Sequence, residues 1–134
     1  MDYKTLLALT GYITQDPMEV EQQFRRMAFN YYAENFDDHA RNFSFLYING
    51  KWKLSPAYDM THGSPLGQHA STVCFKTSPT EEDFIEVGMS VQMTRKLCSD
   101  IIEEVKPIGQ QLVRKLGEKN YCMVGFIQKY FEQI

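Results

Sequence analysis

The sequence predicts an α+β fold, mainly α, with one small β-hairpin inside a single domain over residues 1–134. Three observations predict it. Apolar residues recur at helical spacing from Val20 to Tyr32 and again from Leu97 to Leu116. The period changes to alternation only around Asn49-Gly50, the strongest short hairpin signal a sequence carries. A chain of 134 residues with 43% hydrophobic residues suffices for one core, and it shows no internal repeat.

Taken in order, Leu6, Leu7, Leu9 and Ile13 predict a short helix over residues 2 to 13, interrupted near Gly11. Gln15-Asp16-Pro17 is a helix start, with Asp16 as N-cap and Pro17 at the first helical position. Val20, Phe24, Met27, Ala28, Tyr31 and Tyr32 then form the apolar face of a long helix to about Glu34. Glu21, Gln22, Arg25 and Arg26 take the polar face opposite. Phe43, Phe45 and Tyr47 alternate with Ser44, Leu46 and Ile48, a strand with one face more buried than the other. Lys51-Trp52-Lys53-Leu54 returns as its partner. Pro56 ends the hairpin, residues 61 to 71 read as loop, and Thr72 to Phe75 as a short strand. Thr80 followed by Glu81, Glu82 and Asp83 marks an N-terminal cap with acids in the first turn. A long pattern from Val91 to Leu116 stops at Gly117, with Pro107 expected to kink or split it, and a last helix starts near Glu118. Tyr31, Tyr32, Phe43 and Phe45 belong to the core on this reading. Arg114, Lys115 and Lys119 suit a helix C-terminus rather than nucleic acid.

Composition excludes several classes of function. The net charge of −3 offers no field for nucleic acid or an anionic membrane. The opening Met-Asp-Tyr-Lys, with no long apolar run after it, leads to the expectation of no signal peptide, and no stretch approaches bilayer length. Cys74, Cys98 and Cys122 are far apart and odd in number. They read as reduced, buried thiols, and the expected location is cytoplasmic. His62 and His69 match no metal-ligand spacing and read as surface histidines.

The chemistry concentrates in Asn35-Phe-Asp-Asp-His-Ala-Arg-Asn42 and, after the hairpin, Ser55-Pro-Ala-Tyr-Asp59. Asp37 stands five residues before Asn42, the D-x-x-x-x-N spacing of protein-kinase catalytic loops. Phosphoryl transfer asks for an aligned hydroxyl, metal ions on the phosphates and screening of developing charge. At the end of a buried helix Asp37 can orient a Ser or Thr hydroxyl. Asn42 offers a neutral oxygen to Mg²⁺, and Asp59 the charged oxygen that a hard cation favours. A turn at Asn49-Gly50 can return Asp59 to the same end as Asn42. Arg41 can neutralise a phosphate or pair with Asp38, and both readings stand.

Phe29-Asn30, Asn35-x-Asp37-Asp38-His39-x-x-Asn42-Phe43-Ser44-Phe45 and Trp52-x-Leu54-x-Pro56-Ala57-Tyr58-Asp59 together resemble the carboxyl-terminal lobe of HipA-type toxin kinases. The resemblance is strongest over residues 27 to 60 and continues as a helical pattern to 130. It implies a protein-kinase-like C-terminal lobe using ATP and Mg²⁺, with Asp37 as catalytic base and Asn42 and Asp59 as metal ligands. His39 sits beside the phosphates or, with Asn35, shapes the loop. The resemblance also implies a protein substrate in the translation machinery and a DNA-binding antitoxin as partners. Direct nucleic-acid and membrane contacts are not expected. No Gly-rich loop precedes Asp37, and Lys4 is the one lysine there. The expectation is therefore a catalytic lobe lacking its complementary, nucleotide-clamping N-terminal lobe, and inactive alone. Two rivals accompany it: a non-catalytic docking module for an antitoxin or complementary lobe, and a metal-dependent hydrolase built on Asp37, Asp38, His39 and Asp59.

Overall fold

The computed structural model describes residues 1–35, 43–56 and 71–116. Expectations for the last helix, the loop beyond Thr61, His62, His69, Cys122 and Lys119 fall outside the described residues. Within them the order is α1 (Tyr3–Thr14), α2 (Pro17–Tyr32), β1 (Phe45–Ile48), β2 (Lys51–Leu54), α3 (Glu81–Ser90) and α4 (Arg95–Leu116). This is the mainly helical α+β arrangement expected, with one two-stranded antiparallel sheet. No described helix is long and apolar enough to cross a membrane.

Helix α2 is the spine. It packs against both α1 and α4, while α3 lies on α4 and α1. Asp16 caps α2 through its side chain, accepting from Met18 N at 2.9 Å, and Pro17 occupies the first turn, where a missing N–H removes no bond. Phe24, Met27, Ala28 and Phe29 are fully buried and meet Leu7, Phe84, Val87, Cys98, Val105 and Leu112 in one core. Tyr31 and Phe84 close it edge to face, centroids 5.1 Å apart. Where α4 crosses the end of α2 the backbones nearly touch: a Cβ on Gly109 would lie 2.8 Å from Tyr32 C and 2.9 Å from Ala33 N.

Several expectations are corrected. Helix α1 runs through Gly11 to Thr14 without interruption, with Tyr3, Leu6, Leu7 and Thr10 buried in the turns before it. Arg25 and Arg26 are buried at 9% and 6% exposure rather than solvated. Arg25 Nη2 donates to Glu104 on α4 at 2.8 Å, so an ion pair lies where a plain polar face was expected. The run expected from Val91 starts only at Arg95, because α3 ends at Ser90 and a turn follows. There Gln92 takes a left-handed φ of 69°, and Thr94 Oγ1 then accepts from Leu97 N to start α4. Pro107 neither splits nor ends α4. It sits on the exposed side, and the buried stripe of Ile101, Ile102, Val105 and Leu112 spans it. Thr72 to Phe75 form two isolated bridges, Asp2 to Thr72 and Val73 to Lys76, instead of a strand. The hairpin is buried only at its base: Leu54 is buried and Phe45 half-buried, while Leu46, Tyr47, Ile48 and Trp52 are exposed. Tyr31, Tyr32 and Phe43 pack on the core from half-buried positions.

Candidate functional site

The two candidate segments, 36–42 and 57–59, leave described structure at Asn35 and Pro56 and, for the first, return at Phe43. Asp37, His39, Asn42 and Asp59 themselves lie outside the described residues, and what the structure places is the frame on either side of them.

The entry side is the end of α2. Glu34 adopts φ 55°, a left-handed position usually given to glycine. Glu34 N donates to Tyr31 O at 3.2 Å and Asn35 N to Asn30 O at 2.9 Å, the two reversed bonds of a Schellman cap. Side chains reinforce it. Asn35 Nδ2 donates to Asn30 Oδ1 at 2.9 Å, and Asn30 Nδ2 donates to the Tyr3 hydroxyl at 3.0 Å. Tyr3, Asn30 and Asn35 are each 2% exposed. Buried amides demand partners, and this chain of three satisfies them mutually, holding the helix end to α1. Phe43, on the far side of the segment, returns to the Tyr3 ring edge on, centroids 5.9 Å apart.

The exit side is the base of the hairpin. Its register pairs Phe45 with Leu54 and Tyr47 with Trp52. Asn49 and Gly50 have φ of 53° and 77°, the left-handed pair that a tight primed turn requires. The ladder continues past the strands, with Ser55 N donating to Ser44 O at 2.9 Å and Ser44 Oγ donating to Ser55 Oγ at 2.9 Å. The chain just after Asn42 and the chain just before Ala57 are thus side by side, as a turn at Asn49-Gly50 anticipates.

Helix α2 also grips this base. Leu54 N donates to Glu19 Oε2 at 2.7 Å, and Arg26 Nη2 donates to Ser55 O at 2.6 Å. The roles of Glu19, Arg26 and Tyr3 escaped sequence reading. Arg26 carries a weak signal in hindsight, since an arginine next to Met27 and Ala28 on a buried stripe needs an internal acceptor.

Cys74 Sγ, Asp83 and Glu86 bring ligand atoms within 4.8 Å of one another. Asp83 is already engaged there: Oδ1 accepts from Lys76 Nζ at 2.8 Å, and Oδ2 accepts from Thr80 N at 2.7 Å in the capping box of α3. The Lys76 and Thr80 hydrogen bonds hold the Asp83 carboxyl below its ordinary value. Burial, then Glu86 and Asp83, push the Cys74 thiol up. This group reads as helix-capping structure. The Cys98 thiol, also free, is pushed up by burial in the core.

Residues 1–112 match the HipA-like C-terminal domain. The chain belongs to that family. A protein of Haemophilus influenzae named "Putative kinase" is 31% identical to it, over 65% of this chain and 33% of its own length. The chain therefore spans about a third of that relative.

Proposed function

We propose that the chain is the catalytic lobe of a HipA-type Ser/Thr protein kinase, transferring the γ-phosphate of ATP to a protein hydroxyl. Asp37 acts as the base that accepts the hydroxyl proton. Asn42 and Asp59 hold Mg²⁺ against the phosphates, and His39 lies beside them. The observation that carries the reading is the Ser44–Ser55 pairing, which joins the ends of the two segments bearing Asn42 and Asp59. Family membership and the kinase name of the Haemophilus relative support it. The kinase-like character of the lobe, a protein substrate in the translation machinery, a DNA-binding antitoxin and a cytoplasmic location belong to the same proposal, as does a complementary N-terminal lobe.

A second reading, a docking module derived from such a lobe, draws on the exposed Leu46, Tyr47, Ile48 and Trp52 at the hairpin tip. Apolar side chains gathered on one exposed element mark contact surfaces. Calorimetric titration of ATP with Mg²⁺ into this chain tests the kinase reading, with Asp59→Asn alongside. Binding that disappears in the variant supports the kinase lobe. Binding that survives in Asp59→Asn removes Asp59 from the metal site. Absence of binding in both means that the lobe needs its complementary lobe to hold nucleotide or serves as a docking module.

A further inference from the structure

Arg26 and Asn30 stand one helical turn apart on α2, so their side chains leave the same face. Each holds one shoulder of the candidate site. Asn30 binds Asn35, where the chain runs on towards Asp37, and Arg26 binds Ser55, where it runs on towards Asp59. All four residues are buried.

The choice of an arginine has a physical reason. A two-stranded ladder cannot supply donors to the carbonyls beyond its last pair, and a buried carbonyl without a donor is costly. The Arg26 guanidinium reaches across from α2 and supplies that donor at 2.6 Å, a short charge-assisted bond. Glu19, on the same helix, takes the neighbouring Leu54 N–H at 2.7 Å. The hairpin base is therefore fixed to α2 through one donor and one acceptor on successive residues, which leaves it little freedom to slide or rotate.

We propose that Arg26 is a positioning residue: it sets the Ser55 carbonyl at a fixed place relative to the Asn30–Asn35 amide pair, and so fixes the spacing of the chain at Asn35 and Ser55. This deepens the kinase reading and rests on it for the roles of Asp37 and Asp59. A lysine keeps the charge but loses the planar fork, so Arg26→Lys tests position rather than charge, and Arg26→Gln tests the donor alone.

The experiment measures amide hydrogen exchange on the whole chain and its variants, together with Mn²⁺ binding followed by water-proton relaxation. Arg26→Lys and Arg26→Gln should speed exchange at Leu54 and Ser55 by about tenfold, the worth of one charge-assisted bond, leaving core amides such as Leu7 and Val105 unchanged. Mn²⁺ affinity should fall by a similar factor. Unchanged exchange at Ser55, or the same acceleration at every amide, overturns the proposal, the second because it reports general destabilisation. Mn²⁺ binding that is retained at full strength in both variants overturns it too, and leaves the metal site standing. If the parent chain binds no Mn²⁺ while Ser55 is selectively loosened, the positioning role is supported and the metal reading fails.

Discussion

Gly109 is where the helix packing meets the candidate site. A Cβ there would fall 2.8 Å from Tyr32 C and Cβ and 2.9 Å from Ala33 N, against about 3.4 Å for an ordinary contact. Two of those atoms are backbone and cannot swing aside, so in Gly109→Ala α2 and α4 must part by about 0.6 Å at the crossing. Overpacking of this kind costs roughly 1–3 kcal/mol. Alanine in place of glycine inside a helix returns about 0.8–1 kcal/mol. The net expectation is a loss of about 0–2 kcal/mol. Gly11 is the internal control, because its Cβ would meet only Val20 Cγ2, at 3.4 Å. Gly11→Ala should therefore gain about 0.5–1 kcal/mol from helix propensity alone. Urea unfolding followed by far-UV circular dichroism measures both. The fluorescence of Trp52, the one tryptophan, reports the hairpin separately. Gly109→Ala exceeding the parent, as Gly11→Ala should, would refute the close-packing argument, and a loss in Gly11→Ala would refute the propensity term. Tyr32 and Ala33 immediately precede the cap that feeds Asn35, so Gly109→Ala should also weaken nucleotide binding if the kinase reading holds.

Four further outcomes are expected. In an assembled, active kinase Asp37→Asn should lower turnover by about 10² to 10⁴, the range for losing a general base, and an unchanged rate removes Asp37 from the mechanism. Thr80→Ala should destabilise the fold by about 1 kcal/mol through the capping box of α3. The Asp83 side of that box adds an acid-sensitive part. Its carboxyl is depressed in the fold, so its contribution is present above the ordinary carboxylate range and lost as pH falls through the folded value. The stability gap between parent and Asp83→Asn should accordingly narrow from pH 7 towards strongly acid pH in denaturant titrations. A gap that does not change with pH contradicts the Lys76 and Thr80 bonds. Gln92→Gly, at an exposed left-handed helix end, should raise the melting temperature with a gain of about 0.5–1 kcal/mol, and a lower melting temperature argues against φ 69° there.

What could be read along the chain and what could not divides by the range of the interactions. Asp16-Pro17 and Thr80 with Asp83 satisfy helix ends within three residues, so their side chains alone announce them. The same is true of Asn49-Gly50, whose left-handed φ values are local preferences. The start of α4 at Arg95 rather than Val91 was not legible, because the left-handed residue of the turn is Gln92, a residue with no turn signature. Of the kink or split that Pro107 announces, the split does not occur, since its ring lies on the exposed side while burial of the opposite face sustains the helix through it.

The candidate site divides the same way. The residues from Asn35 to Asp59 announce a kinase-like constellation by spacing, and the family match over residues 1–112 agrees with the family they resemble. The exposed aromatic tip of the hairpin was not legible, because alternation predicts two faces and says nothing of how far a strand pair projects beyond its support. By itself the sequence determined the hairpin, the helix caps and the family, all properties of neighbours in the chain. Only the tertiary structure decided that Arg26 closes on Ser55, Arg25 on Glu104, and Asn30 on both Asn35 and Tyr3. A polar side chain on a helix shows no preference for its burial until another element covers it, and the covering elements here lie as far away as 79 residues.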